Sequence, residues 1–187
     1  GPGPVLVDYG QNFKTLALLC AHLKWPEPSP LYGCGMGQAT GWRPANATTV
    51  ALQNRDGVCL DAKQRGLNGG VVQMWACDPT NFNQLWNIDV ASGLIKNRDG
   101  VCLSDASDRS QSGGAVVTWA CDPTTRSQQW HFDPVTGQIR SELGSCLDAS
   151  ERQTNGGKVL MWPCDTNNKN QQWMARAVQG KLGTLPV

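Results

Sequence analysis

The chain has 187 residues and a formal net charge of +1, from sixteen basic and fifteen acidic residues without a long run of either sign. This balance excludes the concentrated basic face of a nucleic-acid-binding domain. No apolar stretch approaches the roughly eighteen residues of a membrane-spanning helix, so we predict no membrane span. The length suits one domain with an appendage.

The cysteines indicate disulfide bonds formed in an oxidising compartment. There are eight of them, an even number, with no Cys-x-x-Cys spacing and only two histidines in the chain. Zinc sites need closely spaced Cys and His ligands, so we predict neither a metal site nor a cofactor. We expect a secreted, extracellular protein with four disulfides.

Residues 1–49 are predicted to form an N-terminal extension or linker. The stretch 11–24 is typical of a short helix, because its apolar residues share one helical face, and the following Pro-Glu-Pro-Ser-Pro ends it. Cys20 and Cys34 lie outside the repeats described below, and we expect them to pair with each other. Asn46 begins an Asn-Ala-Thr glycosylation sequon, which is used only in a eukaryotic secretory pathway.

Residues 50–180 contain three copies of one unit, predicted at 50–93, 94–137 and 138–180. Each copy has a Cys-Leu pair, a Gly-Gly pair, a Trp-x-Cys motif and a closing Gln-x-Trp motif, at a period of 43 or 44 residues. The Cys-Leu pairs begin at Cys59, Cys102 and Cys146, the Trp-x-Cys motifs at Trp75, Trp119 and Trp162, and the Gln-x-Trp motifs at Gln84, Gln128 and Gln171. A repeat of this length indicates one supersecondary unit per copy.

Within each copy, turn sequences separate short apolar runs. Asp-Gly stands between two such runs in the first two copies, which is a strong β-hairpin signal. No ten-residue helical periodicity occurs in the repeats. About four short strands per copy would place twelve strands around a threefold axis, so we predict an all-β fold, a β-trefoil, over residues 50–187. A solenoid is the alternative, but three β-only copies without capping units favour the closed form.

The cysteine spacing favours one disulfide within each copy. Such bonds would close loops of similar length, each contributing about 3 kcal/mol by loop entropy, whereas pairing between copies would ignore the repeat. The predicted pairs are Cys59–Cys77, Cys102–Cys121 and Cys146–Cys164. The Trp of each Gln-x-Trp motif also recurs once per copy, so we predict that these three tryptophans form a threefold core layer.

These motifs resemble the ricin-type (Gln-x-Trp)₃ lectin domains, also described as family 13 carbohydrate-binding modules. The resemblance covers residues 50–180, about 70% of the chain. It implies a β-trefoil with up to three shallow pockets for galactose or N-acetylgalactosamine, and glycans or glycoproteins as partners. In this family the Asp after Cys-Leu bonds sugar hydroxyls, the aromatic residue before the second cysteine stacks on the sugar, and the Asn before Gln-x-Trp completes the pocket.

The chemistry of the matching residues supports sugar binding. Galactose has one apolar face of C–H groups and one edge of adjacent hydroxyls, so its pocket needs a flat aromatic wall, a carboxylate acceptor and an amide donor. The first copy offers Asp61, Gln73, Trp75, Asn83 and Gln84, and the third offers Asp148, Trp162, Asn170 and Gln171 with Leu160 in place of a glutamine. The second offers Asp105, Trp119 and Gln128, with Val117 and Ser127 in place of the glutamine and the asparagine.

We therefore rank the predicted sites first, third, second. Each Asp has an alternative interpretation as a solvated or turn-capping residue, and each Trp-x-Cys tryptophan as part of a second core layer. Six buried tryptophans in one trefoil would be many, because a fully buried Trp is uncommon, so half-exposed stacking faces are favoured. The three Gln-x-Trp glutamines are expected to brace the strand that carries the preceding Asn or Ser rather than contact sugar directly.

The second copy contains one extra residue, Ser104, and reads Cys-Leu-Ser-Asp where the others read Cys-Leu-Asp. Asp105 nevertheless lies fourteen residues before Trp119, the same separation as that of Asp61 from Trp75. A one-residue slip would turn the later side chains of the strand to the opposite face. We therefore predict a local bulge that absorbs Ser104 and keeps the Asp105 carboxylate in its pocket.

The sequence favours binding over catalysis. A glycosidase needs two carboxylates in unlike environments, and nucleophilic hydrolysis needs a Ser or Cys beside a base, but His131 follows a core Trp in one copy only. We therefore predict a lectin that is not an enzyme. One alternative is the glycan-targeting module of a larger secreted glycosidase or toxin whose catalytic domain is absent from this chain. Another is a sugar-blind trefoil that inhibits proteases or acts as a signalling ligand.

Overall fold

The computed structural model describes residues 49–98, 100–107 and 112–178. The helix predicted at 11–24, the bridge between Cys20 and Cys34, and the Asn46 sequon lie outside these residues. The described chain is built from β-strands and three short 3₁₀ turns, at Phe82–Gln84, Arg126–Gln128 and Lys169–Gln171. No helix in these ranges is long and apolar enough to cross a membrane.

The described residues form fourteen strands. They are β1 (Thr49–Asn54), β2 (Val58–Asp61), β3 (Gly70–Val71), β4 (Gln73–Ala76), β5 (Trp86–Asp89), β6 (Leu94–Asn97), β7 (Val101–Asp105), β8 (Gly114–Ala120), β9 (Trp130–Asp133), β10 (Gln138–Ser141), β11 (Cys146–Asp148), β12 (Gly157–Lys158), β13 (Leu160–Trp162) and β14 (Trp173–Ala177). The number exceeds the predicted twelve because the third strand of the first and third repeats is interrupted, at Val72 and Val159, whereas β8 is continuous.

The strands close into the predicted β-trefoil. The last strand, β14, pairs with the first, β1, from Val50 opposite Ala177 to Asn54 opposite Trp173. Antiparallel pairs β1–β5, β5–β6 and β9–β10 continue this layer, while β2–β4, β7–β8 and β11–β13 form one hairpin in each repeat. The predicted Asp-Gly hairpin at Gly57 is present, and the glycine adopts a φ of 98°, which a residue with a side chain rarely does.

The Gln-x-Trp tryptophans lie in the core, as predicted. Trp86, Trp130 and Trp173 are all at most 4% exposed. Each indole N–H donates to the backbone carbonyl of the Cys-Leu leucine in its own repeat, at 2.9–3.0 Å. The leucines and aliphatic residues that surround them are fully buried, at Leu52, Leu60, Ile95, Leu103, Ile139 and Leu147. A threefold set of large side chains therefore fills one shared interior.

The three predicted disulfides within the repeats are present. Cys59–Cys77, Cys102–Cys121 and Cys146–Cys164 join Cα atoms 5.0–5.1 Å apart. Each bond connects the second strand of its repeat to the cysteine two residues after the Trp-x-Cys tryptophan, so it fastens the hairpin that carries the predicted pocket. Among the described residues no cysteine is free.

The Gly-Gly loops connect each repeat to a neighbour. The backbone N–H of Gly69 donates to Thr118, that of Gly113 to Met161 and that of Gly156 to Met74, each at 2.8 Å. The second glycine of the pair is crowded, because a Cβ on Gly157 would lie 2.2 Å from the carbonyl oxygen of Glu151. The loop of one repeat therefore lies beside the Trp-x-Cys tryptophan of another.

Replacing Gly157 with alanine is expected to lower the free energy of unfolding by about 1–3 kcal/mol, the usual cost of overpacking, because the atom that the new Cβ meets is backbone. Urea denaturation measures the change. Gly66→Ala is the matched control, since nothing lies within 4 Å of its Cβ position, and it should stay within about 0.5 kcal/mol of the parent. Equal stability of the two variants would contradict the close approach at Gly157.

Candidate functional site

Pocket 1 is formed by the β2–β4 hairpin and the 3₁₀ turn Phe82–Gln84. Asp61 is at its floor, 1% exposed, and is directly opposite Gln73 in the strand pairing. Two residues further along β4, on the same face, the indole of Trp75 is 41% exposed. The hairpin and the turn therefore bring the Asp, the Gln and the aromatic wall predicted for the first site into one place.

Four side-chain amides converge on the Asp61 carboxylate. Gln73 and Asn83 donate to Oδ1 at 3.3 and 3.4 Å, while Asn81 and Gln84 donate to Oδ2, both at 3.2 Å. Amide donors compensate the burial of a carboxylate, which would otherwise be expensive. The contacts to Oδ1 are at the long end of the hydrogen-bond range. A hydroxyl that approached closely could replace them, and the freed amides could then donate to the same ligand.

Pocket 3 repeats this arrangement with fewer donors. Asp148 is 2% exposed, and its Oδ2 accepts from Asn168 at 2.9 Å and from Gln171 at 3.1 Å. Within the described chain its Oδ1 has no hydrogen-bond partner, and Leu160 stands opposite it in the strand pairing. Trp162 is 43% exposed. The third pocket thus keeps a carboxylate oxygen open to a ligand.

Two asparagines that the sequence analysis overlooked support these carboxylates. Asn81 and Asn168 begin the 3₁₀ turns, and each side-chain oxygen accepts from the backbone N–H two residues later, at 3.0 Å. Their amides reach Asp61 and Asp148 in the contacts given above. The signal was present, because Asn is a preferred capping residue and both stand at the same offset before Gln-x-Trp.

Two arginines were also missed, each four residues after its pocket aspartate. Arg65 donates to the side-chain oxygen of Asn83, and Arg152 donates to that of Asn170. Because the amide oxygen is occupied, the NH₂ group of each asparagine is left to donate. Arg152 also forms an ion pair with Asp56, and this hydrogen bond lowers the pKa of the Asp56 carboxyl below its ordinary value.

The Gln-x-Trp glutamines act as braces, but the preceding Asn or Ser lies in a 3₁₀ turn and not in the expected strand, and the glutamines fasten this turn to the chain around the second cysteine. The side-chain oxygen of Gln84 accepts from the backbone N–H of Asp78 at 2.8 Å, and its amide donates to the carbonyl of Ala76 at 2.9 Å. Gln128 and Gln171 make the equivalent pairs of bonds in their own repeats. All three are nearly inaccessible to solvent. Gln84 and Gln171 therefore act on the pocket through the aspartate and the backbone that they hold.

Pocket 2 differs from the prediction. Along β7 and β8, Cys102 pairs with Trp119, Leu103 with Thr118 and Ser104 with Val117, in an uninterrupted ladder. The corresponding pairs in the first repeat end with Asp61 opposite Gln73. Ser104 therefore occupies the position of the pocket aspartate, and the predicted bulge is wrong.

The ladder itself explains why no bulge forms. Asp105 continues the pairing opposite Val116, so the backbone gains one further pair where a bulge would leave a residue unpaired. The extra residue lengthens the connection between the two strands. Twelve residues, 105–116, lie between Ser104 and its partner Val117, whereas eleven, 62–72, lie between Asp61 and its partner Gln73. Counting from Asp105 to Trp119 could not detect this, because it assumed that Asp105 is the counterpart of Asp61. The separation of Cys102 from Trp119 is one residue longer than that of Cys59 from Trp75 under either arrangement, so spacing along the chain does not distinguish them.

In this register the side chain of Asp105 does not line the second pocket. Neighbouring residues of a strand point to opposite faces, so with Ser104 lining the pocket the Asp105 side chain is on the core side. It is 2% exposed, where the first and third repeats have a buried alanine. Its Oδ1 accepts from the backbone N–H of Ser107 at 3.0 Å, and its buried Oδ2 has no partner within the described residues.

What remains in pocket 2 is a groove of about 420 Å³, without the central aspartate of the other pockets, beside the 47%-exposed Trp119. The hydroxyls of Ser104 and Ser127 lie 3.3 Å apart in it. Asp122 also lines the groove, but its carboxylate accepts from Thr124 and Thr125, and the Thr124 hydroxyl lowers the pKa of Asp122. Ser104 and Ser127 thus replace an aspartate and an asparagine together.

The side chains that line these pockets have the chemical groups needed to bind a polyol. Pockets 1 and 3 each combine a half-exposed indole with a carboxylate and amide donors. His131 lies at the surface with its ring Nε2 2.9 Å from the Glu142 carboxylate, an interaction that lowers the pKa of Glu142. In the described ranges no group of His, Cys, Asp and Glu side chains could hold a metal ion.

Similar solved structures share this fold. A designed threefold-symmetric protein, ThreeFoil, superposes with a TM-score of 0.61 at 22% identity over 68% of this chain and 97% of its own. Agglutinin from Abrus precatorius gives 0.59 at 25% identity over 68% of this chain and 48% of the agglutinin. The C-terminal half of an earthworm R-type lectin, solved with N-acetylgalactosamine, gives 0.56 at 19% identity over 70% of this chain and 98% of that half.

No match was found among curated protein sequences. The sequence profile of the ricin-type beta-trefoil lectin domain, however, matches residues 48–173, about two thirds of the chain. That range contains all three hairpins, all three disulfides and all three pockets. The chain therefore belongs to the ricin-type β-trefoil lectin family, whose domains bind carbohydrate.

Proposed function

We propose that the chain is a lectin that binds galactose or N-acetylgalactosamine through pockets 1 and 3. The observation that carries this proposal is the Asp61 carboxylate, held by four amides beside the exposed face of Trp75. The indole takes the C–H face of the sugar. The carboxylate accepts from two adjacent hydroxyls, and bonds to a charged acceptor are the stronger kind.

The pockets rank first, third, second in this proposal. Pocket 1 has both Gln73 and Asn83 at Oδ1 of the carboxylate, so the sugar meets two further donors there. Pocket 3 has Leu160 in place of the glutamine. Pocket 2 has no carboxylate available for the hydroxyl pair. One shallow monosaccharide site is worth about −4 kcal/mol, near millimolar affinity, so two sites on one chain would act by avidity on multivalent glycans.

The proposal also covers the domain boundaries of the lectin and the compartment in which it acts. Residues 50–187 would form the folded lectin unit, with 1–49 as an extension, in a secreted protein whose oxidising environment maintains the disulfides. Because the chain spans only about half of the Abrus agglutinin, a role as the glycan-targeting module of a larger protein is the second candidate.

A glycan array tests the function directly. We expect the intact protein to bind glycans with terminal galactose or N-acetylgalactosamine, and Asp61→Ala/Asp148→Ala to lose its binding to glycans that end in galactose. Near-ultraviolet circular dichroism of the double variant checks that its fold is retained. If the folded parent protein bound no glycan with terminal galactose or N-acetylgalactosamine, or if the double variant bound galactose-terminated glycans as well as the parent, the proposal would be rejected.

A further inference from the structure

We propose that pocket 2 binds an N-acetylated pyranose, selected by its acetamido group and not by the configuration of its hydroxyls. This inference extends the proposed lectin function, on which it rests, to a pocket with a different ligand chemistry. It starts from the residues that lie side by side across three neighbouring strands in each pocket.

Each pocket contains one such row of three residues. Directly paired residues of antiparallel strands share a face of the sheet, so each row lies on the same side as its pocket. The rows are Asp61, Gln73 and Lys158 in pocket 1, Ser104, Val117 and Val71 in pocket 2, and Asp148, Leu160 and Ala115 in pocket 3. Pocket 1 thus has an acid, an amide and a base where pocket 2 has a hydroxyl and two valines.

The stacking wall is nevertheless retained in pocket 2. Trp119 is two residues from Val117 on β8 and therefore on the same face, and it is the most exposed of the three pocket tryptophans. Gly69 brings the loop of the first repeat against its edge, because a Cβ there would lie 3.6 Å from the ring. An aromatic face held open in this way, beside a groove, can still accept the C–H face of a sugar ring.

The polar groups of pocket 2 suit a carbonyl better than a diol. The hydroxyls of Ser104 and Ser127, 3.3 Å apart, can both donate and accept, but neither can take two adjacent sugar hydroxyls as a carboxylate does. Gln128 is not available, because its side chain already bonds Asp122 and Ala120. The groove therefore lacks the group that distinguishes the axial hydroxyl of galactose from the equatorial hydroxyl of glucose.

The two valines supply a place for a methyl group. Val71 is 46% exposed and Val117 is half-buried, and together they extend from Ser104 over two strand spacings, a row roughly 10 Å long. With the ring on Trp119 and the amide carbonyl at the serine hydroxyls, the acetyl methyl is placed to cover the valines and remove their exposed surface from water.

The test isolates pocket 2 in the Asp61→Ala/Asp148→Ala background. Binding is followed by the NMR signal of the Trp119 indole N–H, assigned by its loss in Trp119→Phe. N-acetylglucosamine and N-acetylgalactosamine should bind with affinities within about threefold of each other. Glucose and galactose should bind about tenfold more weakly, a typical value for the loss of one methyl contact.

In a second variant, Val71→Lys/Val117→Gln, the two valines are replaced by the residue types that pocket 1 has at the same row positions. We expect this change to abolish the preference for acetamido sugars, while Val90→Lys, at a 78%-exposed turn residue, leaves it intact. The inference is overturned if the isolated pocket binds no acetamido sugar, prefers galactose to N-acetylglucosamine, or keeps its preference without the valines. In the first two of these outcomes, galactose binding by the parent protein would show that the proposed lectin function still holds although the inference about pocket 2 fails.

Discussion

Replacing Asp61 with alanine is expected to weaken galactose binding at pocket 1 by about 10- to 100-fold. The reason is that the carboxylate is the proposed acceptor for the sugar hydroxyls, and a hydrogen bond to a charged group contributes about 1.5–3 kcal/mol. It also orients the amides of Gln73 and Asn83, which lose their common partner. The indole N–H signal of Trp75 in an NMR titration reports this pocket separately from the others.

The matched controls are the other two aspartates that follow Cys-Leu. Asp148→Ala should affect the Trp162 signal and leave that of Trp75 unchanged. Asp105→Ala should change neither, since its carboxylate is on the core side. Its stability should be equal to that of the parent or about 1 kcal/mol higher, because a buried oxygen without a partner is removed. A loss of sugar binding in Asp105→Ala would contradict the strand register that places Ser104 in the pocket.

Removing the Cys59–Cys77 disulfide is expected to lower the free energy of unfolding by about 3 kcal/mol. The bond closes a loop with a sequence separation of 18 residues, and the estimate follows from the entropy that this loop regains in the unfolded chain. This is a large part of the 5–15 kcal/mol that ordinary domains have. The Cys59→Ala/Cys77→Ala variant in urea denaturation measures it.

The same variant should also affect pocket 1. Cys59 is directly opposite Trp75 in the β2–β4 hairpin, and Cys77 follows two residues after that tryptophan. Loss of the bond therefore loosens the stacking wall, and galactose affinity at Trp75 should fall while that at Trp162 is retained. Addition of a reductant to the parent protein is the comparison for all three bonds together. A loss below about 1 kcal/mol would show that the bond adds little to the packed hairpin.

Much of the fold could be predicted because its information is local and repeated. The period of 43 or 44 residues recurs at every landmark, so each uncertain turn in one copy is supported by the other two. The core positions of Trp86, Trp130 and Trp173 and the pairing of six cysteines followed from this repetition. The strand number was harder to obtain, because the interruptions at Val72 and Val159 have no distinct turn signal.

The pockets were partly predictable for the same reason. Asp61, Trp75 and Asn83 come together as expected, and the first and third repeats agree with each other. The supporting residues Asn81 and Arg65 were missed, although equivalents stand at the same offsets in the third repeat. Their contribution depends on which atoms meet across the 3₁₀ turn, and residue spacing along the chain does not contain that distance.

The sequence by itself determined the threefold architecture, the disulfides within the repeats and the position of two polar pockets, because repeated spacing and residue chemistry are sufficient for these. Only the tertiary structure decided the identity of the second pocket. An inserted residue can be accommodated as a bulge in the strand or as a longer connection after it, and both have the same length. The continuous β7–β8 ladder selects the second outcome, so Ser104 faces the groove of pocket 2 and Asp105 faces the interior.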